Sequence, residues 1–352
     1  MEAFAKKRIL ILAALLALVL ALAFCSESFG TNEKVRAPQV LQVLAHKIGV
    51  ARAEPASDVE KTVLDYRLPR VALAILAGAA LAMAGAALQG LFRNPLADPA
   101  LIGVSGGAAL GAVAVIVLGG GALGGLIHPF GAFALPVAAM AGGVLVTFLI
   151  YHLSKVEGRT HVALMLLTGL ALNALVGAGI GLMIYLATDE QLRTWIFWSL
   201  GSLNKADWPQ IGVAALFIIP ALLALPWFAR PLNALLLGES EAHHLGVPVQ
   251  QVKRWVILLS AAMVGAAVAA CGTIGFVGLI APHLVRLAFG PDHRLLLPAS
   301  ALLGAALLLA ADLATRTRSA GFEELPIGVV TALVGAPVFL ALLWRARRKG
   351  EF

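Results

Sequence analysis

Apolar residues gather into long runs along this chain, at approximately 9–24, 69–92, 102–119, 131–153, 161–187, 208–229, 253–271, 273–289, 295–312 and 326–344. Runs of roughly 20 apolar residues suit helices that cross a hydrocarbon core about 30 Å thick. The pattern predicts an all-α polytopic membrane protein with ten transmembrane helices, folded as one domain over residues 1–352. Its first span lies at about 9–24, an external loop at about 25–68 and the other nine spans within about 69–344, with a cytoplasmic segment at about 230–251. The start, Lys6-Lys7-Arg8 followed by Ile9 to Phe24, is similar to a signal peptide. The small-residue cleavage pattern is missing, however, and bulky Phe24 precedes Cys25, so a retained span is expected.

Composition agrees with the pattern. Apolar residues make up 60% of the chain and charged residues 13%, with a mean hydropathy of +0.92. A soluble domain carries about 25% charged residues, so this chain cannot clothe a water-facing body. The net charge of +7 reads as loop Lys and Arg retained on the cytoplasmic side, not as a nucleic-acid footprint. With the N-terminus inside, that face holds 15 Lys and Arg, among them Lys6, Lys7, Arg8, Arg93, Lys155, Arg159, Lys253, Arg254 and Lys349. Apart from the long first loop and its junction at Arg70, the other face holds 4: Arg193, Lys205, Arg316 and Arg318. Both termini are therefore expected in the cytoplasm. Cys25 and Cys271 have no ligand-like spacing.

Small residues recur at every fourth position: Gly78, Ala82, Ala86 and Gly90; Gly103, Gly107 and Gly111; Gly169, Asn173, Gly177 and Gly181. That spacing lines one helix face and lets backbones approach closely. Asn173 interrupts the last stripe and marks that helix as a candidate for the transport pathway. The Gly-rich segments 77–92 and 261–280 share a texture, a faint trace of two inverted halves.

Several short stretches are more specific than membrane filler. They are Arg67-Leu68-Pro69-Arg70, Arg93-Asn94-Pro95-Leu96-Ala97-Asp98-Pro99 and Leu237-Gly238-Glu239-Ser240-Glu241-Ala242-His243-His244-Leu245-Gly246. Gly275-Phe276-Val277-Gly278-Leu279-Ile280-Ala281-Pro282-His283, Glu324-Leu325-Pro326-Ile327-Gly328 and Gly335-Ala336-Pro337-Val338-Phe339 complete the set. In their order and over about Arg67 to Trp344, they resemble the iron-chelate, heme and cobalamin permease family of type II ABC importers. The resemblance implies a ten-helix subunit in a homodimer, in the inner membrane of a bacterium. Two cytoplasmic ATPases, which bind ATP and magnesium, and a periplasmic substrate-binding protein complete the machine. This subunit would bind no cofactor and would not be an enzyme.

Residue by residue, the resemblance makes 237–246 the segment that seats on the ATPase. Arg67, Arg70 and Arg316 would receive carboxylates of the binding protein, and Arg318 has no clear counterpart. Asn94, Leu96, Val162 and Ala163 would frame the cytoplasmic gate, with Thr160 and His161 as the alternative to the latter pair. On physical grounds Glu239 and Glu241 suit a helix start, and Gly246 suits its end. His243 and His244 are adjacent, so their side chains diverge, and no third metal ligand is near.

The spans offer no mid-membrane acid for proton coupling; Asp312, Arg286 and His283 sit near span ends. No Gly-Lys dipeptide exists, hence no phosphate-binding loop, and no His-Glu-x-x-His zinc motif occurs. An ion-driven carrier is the competing class. The segment 192–203 looks most like the heme branch of the family, and Arg193 near the external mouth is then the candidate for attracting heme propionates. Ferric siderophore and cobalamin are the alternative cargoes.

Overall fold

The computed structural model describes residues 2–28, 35, 37–47, 49–50, 55–121, 123–317 and 325–348. Lys34, Arg36, Arg52, Arg318, Glu324 and Lys349 lie outside the described residues. Helix α1 covers Glu2–Ser28 and α2 Ala37–Lys47. A short α3 (Ser57–Lys61) passes through a π-helical segment, Thr62–Arg67, into α4 (Leu68–Phe92). A 3-10 turn at Pro99–Ile102 precedes α5 (Val104–Leu118), α6 (Gly124–Ile127) and α7 (Ala134–Leu153). A hairpin of β1 (Lys155–Val156) and β2 (Arg159–Thr160) then leads into α8 (Val162–Leu186) and α9 (Asp189–Ser199). Next come α10 (Trp208–Ala224), α11 (Ala229–Leu235), α12 (Glu239–His244) and α13 (Val249–Cys271). The described chain closes with α14 (Val277–Phe289), α15 (His293–Thr317) and α16 (Ile327–Arg348).

Among the described residues, seven helical stretches are long and apolar enough to cross a membrane, and α5, α14 and Ile327–Ala341 are shorter apolar helices. These ten fall on the ten apolar runs. The region at 25–68 is not a plain polar loop. Helix α1 continues to Ser28, and the second span is the end of a 36-residue helix that starts at Ser57. Val35, Val40, Val43 and Val63 form a satellite core over it. The helix α2 lies on its Val40–Val43 face, so four valines order a segment whose polar average reads as loop.

Local chemistry sets the ends. Arg93 takes a left-handed conformation (φ 51°), and Pro95 cannot continue a helix, so α4 stops there. Thr188 and Gln191 form a reciprocal capping box at α9. Asp207 caps α10 by accepting from the Gln210 N–H at 2.7 Å.

The centre is α4, α13 and α15, whose spans are buried over 83%, 67% and 67% of their most apolar windows, whereas α1 and α8 reach 11% and 17%. Close packing follows the small-residue stripes. A Cβ on Gly78 would collide with the Gly304 backbone of α15, and one on Gly85 with the Gly278 backbone of α14. Gly107 meets Gly142 of α7 in the same way. With no hydrophobic drive between helices in lipid, this approach is what the stripes supply. The third stripe behaves differently: Gly169 meets the Leu101 carbonyl, but nothing lies within 4 Å of a Cβ on Gly177 or Gly181. Most of α8 faces outward, with Leu167, Leu170, Leu175 and Tyr185 exposed.

The bundle has two distinct ends. At one, Arg8 donates to the Arg294 carbonyl at 2.7 Å and Asn233 to Asp292 Oδ1 at 2.7 Å. That gathers the start of α1, the end of α11 and the start of α15. At the other, Arg316 at the end of α15 donates to the Ser26 carbonyl at 3.0 Å.

Candidate functional site

At the Arg8 end, α12 stands out as a short helix between two glycines. Gly238 has φ 122° and Gly246 φ 80°, conformations that cost a side-chained residue more than glycine. Ala242 is fully buried and anchors the helix. Leu237, Ser240, Glu241, His243, His244, Leu245 and Gly246 are exposed. Glu239 turns its carboxylate back to Lys253 Nζ, 2.7 Å away. The imidazoles of His243 and His244 stand edge to face with centroids 6.4 Å apart. Among the described residues no group of three or more His, Cys, Asp or Glu is placed to hold a metal.

The four gate candidates sit near this end. The side chain of exposed Asn94 folds back to accept from the Leu96 N–H at 2.9 Å, and Leu96 is half-buried. Val162 and Ala163 open α8, directly after the hairpin. Thr160, one of their alternatives, is buried, whereas His161 is exposed. Two carboxylates here are shifted. Desolvation raises the Asp98 carboxyl above its ordinary value, against the lowering effect of the Ala100 N–H. For Asp292 burial acts upward, but bonds from the Arg294 N–H and Asn233 outweigh it and hold the group low. Asn173 lies deeper and is half-buried. Its amide donates to the Ala100 carbonyl at 3.3 Å, so it ties α8 to the 3-10 turn before α5.

The three arginines expected to face a partner lie at the Arg316 end, two of them on one buried carboxylate. Asp312 is fully buried. Its Oδ1 accepts from Arg70 Nε at 2.7 Å and its Oδ2 from Arg316 Nη2 at 2.5 Å. Arg316 also donates to the Ser26 carbonyl and hydroxyl. Arg67 donates to the Glu27 and Val35 carbonyls. Arg67 and Arg316 are only 6% and 5% exposed. Besides the docking role expected of them, the three make bonds within the chain that lock the end of α1 to α4 and α15. Asp312, an acid one turn before Arg316 on the same helix face, holds two of them.

Beside that network lies a cavity of about 560 Å³, lined among others by Arg70, Arg193, Lys205, Phe197 and Trp198. Three motif stretches close its floor. Ser202 N–H donates to the Cys271 carbonyl at 2.8 Å, and Gly328 N–H to the Leu200 carbonyl at 2.9 Å. Thr273 reaches the Ser199 carbonyl. Gly201 and Gly272, at φ 73° and 72°, permit the crossing. Arg193 is exposed on α9 at the rim. Its lining thus combines cationic side chains with aromatic faces.

Sequence reasoning passed over the partners. Asp312 was visible only as an acid near a span end, and Ser26 as an ordinary polar residue. Gln250 was passed over altogether, and Lys253 read as one more cytoplasmic charge. One spelling misleads: Gly103-Val104-Ser105-Gly106-Gly107 matches the Gly-x-Ser-x-Gly spacing of a hydrolase elbow. Here it opens a membrane helix after a 3-10 turn, with no strand before it, and its glycines serve packing.

Comparison with known proteins fits this architecture. The FecCD transport family matches residues 15–345. The hemin transport system permease protein HmuU of Yersinia pestis is 47% identical over 295 residues, which span 81% of this chain and 84% of that protein. The cobalamin import system permease protein BtuC of Halobacterium salinarum is 43% identical over 277 residues, 79% of this chain and 72% of that one. A solved chain described as an inward-facing metal-chelate type ABC transporter superposes with a TM-score of 0.80 at 32% identity, covering 95% and 99% of the two chains.

Proposed function

We propose, from the premise that the chain belongs to the FecCD transport family, that it is the heme-translocating permease subunit of an ATP-driven importer. It is a multi-pass membrane permease and not an enzyme; a separate ATPase hydrolyses ATP, and a binding protein delivers cargo. The observation that carries the reading is α12. An exposed helix, pinned by one buried alanine and bounded by two glycines, is a seat for a partner that pushes.

The Arg8 end is then the cytoplasmic one, with both termini inside, since Lys155, Arg159, Arg254 and Arg294 accompany α12 in the connections there. The exposed apolar face of α8 suits a second copy, giving a homodimer with two ATPases. Asn94, Leu96, Val162 and Ala163 frame the gate on the α12 side. The basic network of Arg67, Arg70 and Arg316 lies under the face on which the binding protein docks.

Heme is supported by the similarity to a hemin permease and by the cavity, where Arg193 and Lys205 offer cations to propionates and Trp198 and Phe197 offer ring faces. The test is reconstitution with the ATPase and binding protein, comparing uptake of heme, a ferric siderophore and cobalamin. Heme alone should accumulate; accumulation of cobalamin or the siderophore in its place would reassign the cargo. Arg193→Ala should lower heme uptake roughly fivefold, the scale of one exposed ion pair, and uptake equal to wild type would remove the residue from the pathway.

A further inference from the structure

The first turn of α13 grips two separate elements. Gln250 and Lys253 lie three residues apart, on one face of the helix. Gln250 Oε1 accepts the Thr160 N–H at 2.9 Å, and Lys253 Nζ donates to the Thr160 carbonyl at 2.7 Å. Both backbone groups of one residue are thus held from one helix face. The same ammonium donates to Glu239 Oε2 at 2.7 Å. Lys253 has a side chain only 2% exposed, although lysines are almost never fully buried unless paired.

Each of the two elements it joins has its own place in the mechanism. Glu239 is the first residue of α12. Thr160 ends the hairpin, turned by Glu157 and Gly158 at φ 51° and 77°, and only His161 separates it from α8. The His161 N–H closes the hairpin base on the Ser154 carbonyl at 3.1 Å. A push on α12 therefore has a short, fully hydrogen-bonded route to the head of α8, through one buried charge.

We infer that Lys253 is the positioning residue that makes α12, the hairpin and the head of α8 move as one body, converting displacement of α12 into movement of the gate. It touches neither cargo nor nucleotide; it acts through Glu239 and Thr160. The inference rests on the reading of 237–246 as the seat of the ATPase. A merely structural lysine would support assembly, and its loss would depress every activity together. A transmitting lysine leaves hydrolysis running and disconnects it from transport.

The experiment uses the assembled complex with its ATPase and binding protein in proteoliposomes, measuring ATP hydrolysed and heme taken up in the same vesicles. Lys253→Met, which keeps the length and removes the charge, should lower uptake per ATP roughly tenfold, within the usual range of coupling between sites. Glu239→Gln, which keeps the acceptor oxygen, should lose less. A proportional fall in hydrolysis and uptake, or no change in their ratio, would overturn the inference. A second measurement does not depend on the variant folding. Spin labels at Ser240→Cys and Glu157→Cys, with Cys25 and Cys271 replaced, report the distance from α12 to the hairpin. That distance should stay constant between nucleotide-free and vanadate-trapped complex; a shift of several ångströms would show the two elements moving separately and overturn it. Uptake by the wild-type complex without ATP would instead defeat the underlying reading, a result distinct from an ATP-driven transporter indifferent to Lys253.

Discussion

A single carboxylate organises the Arg316 end. Each oxygen of Asp312 takes one arginine, at 2.7 and 2.5 Å, and Arg316 in turn holds the end of α1. Exposed pairs contribute about 0–1 kcal/mol; this one is buried, where removing one partner leaves an uncompensated charge and costs about 3–5 kcal/mol. Asp312→Asn should therefore destabilise the protein by about that amount, seen as a lower thermal midpoint in detergent. A midpoint unchanged within about 1 °C would show that water satisfies the arginines instead. The residue types were legible in the sequence, because three arginines on the less basic face are conspicuous. Their direction was not, because it depends on Ser26 and Asp312, which lie 290 and 4 positions from Arg316.

Helices here were readable where one physical signal governs. Long apolar runs must be helical in lipid, and all ten are. Glycine at fourth positions predicted close approach, and Gly78, Gly107 and Gly111 each lean on another backbone. The third stripe, expected to mark the transport pathway, packs differently from the other two: α8 leaves Gly177 and Gly181 uncovered, while Asn173 is tied inward. The helix from Ser57 was missed because mixed charges mask four buried valines that a window average cannot see. The hairpin at 155–160 was missed because its strands are only two residues each, and its clamp because it depends on pairing across 90 residues. At this scale the prediction concerns α4 and α14. Gly85→Val should force the helices apart and cost about 2–3 kcal/mol, the usual scale of overpacking, whereas Gly177→Val should cost almost nothing in the isolated subunit. Equal destabilisation by the two would contradict the packing described.

On the scale of the whole molecule, the charge pattern and the architecture point the same way. Basic loops, α12 and the hairpin occupy one end, and the buried arginine network and the basic cavity the other. The chain belongs to a family of ABC permeases, in which ATP hydrolysis is the work of a separate subunit. A bundle of this kind works by switching between two arrangements, and a ligand or partner can bias such a switch only by its differential affinity for them. On the function proposed above, the bias enters at α12. The direct measurement is heme uptake into vesicles holding this chain, its ATPase and its binding protein, with the ion gradients collapsed by ionophores or the ATPase blocked by vanadate. Uptake should survive the ionophores and stop with vanadate. Uptake that persists under vanadate, or in vesicles lacking the ATPase, would contradict the account.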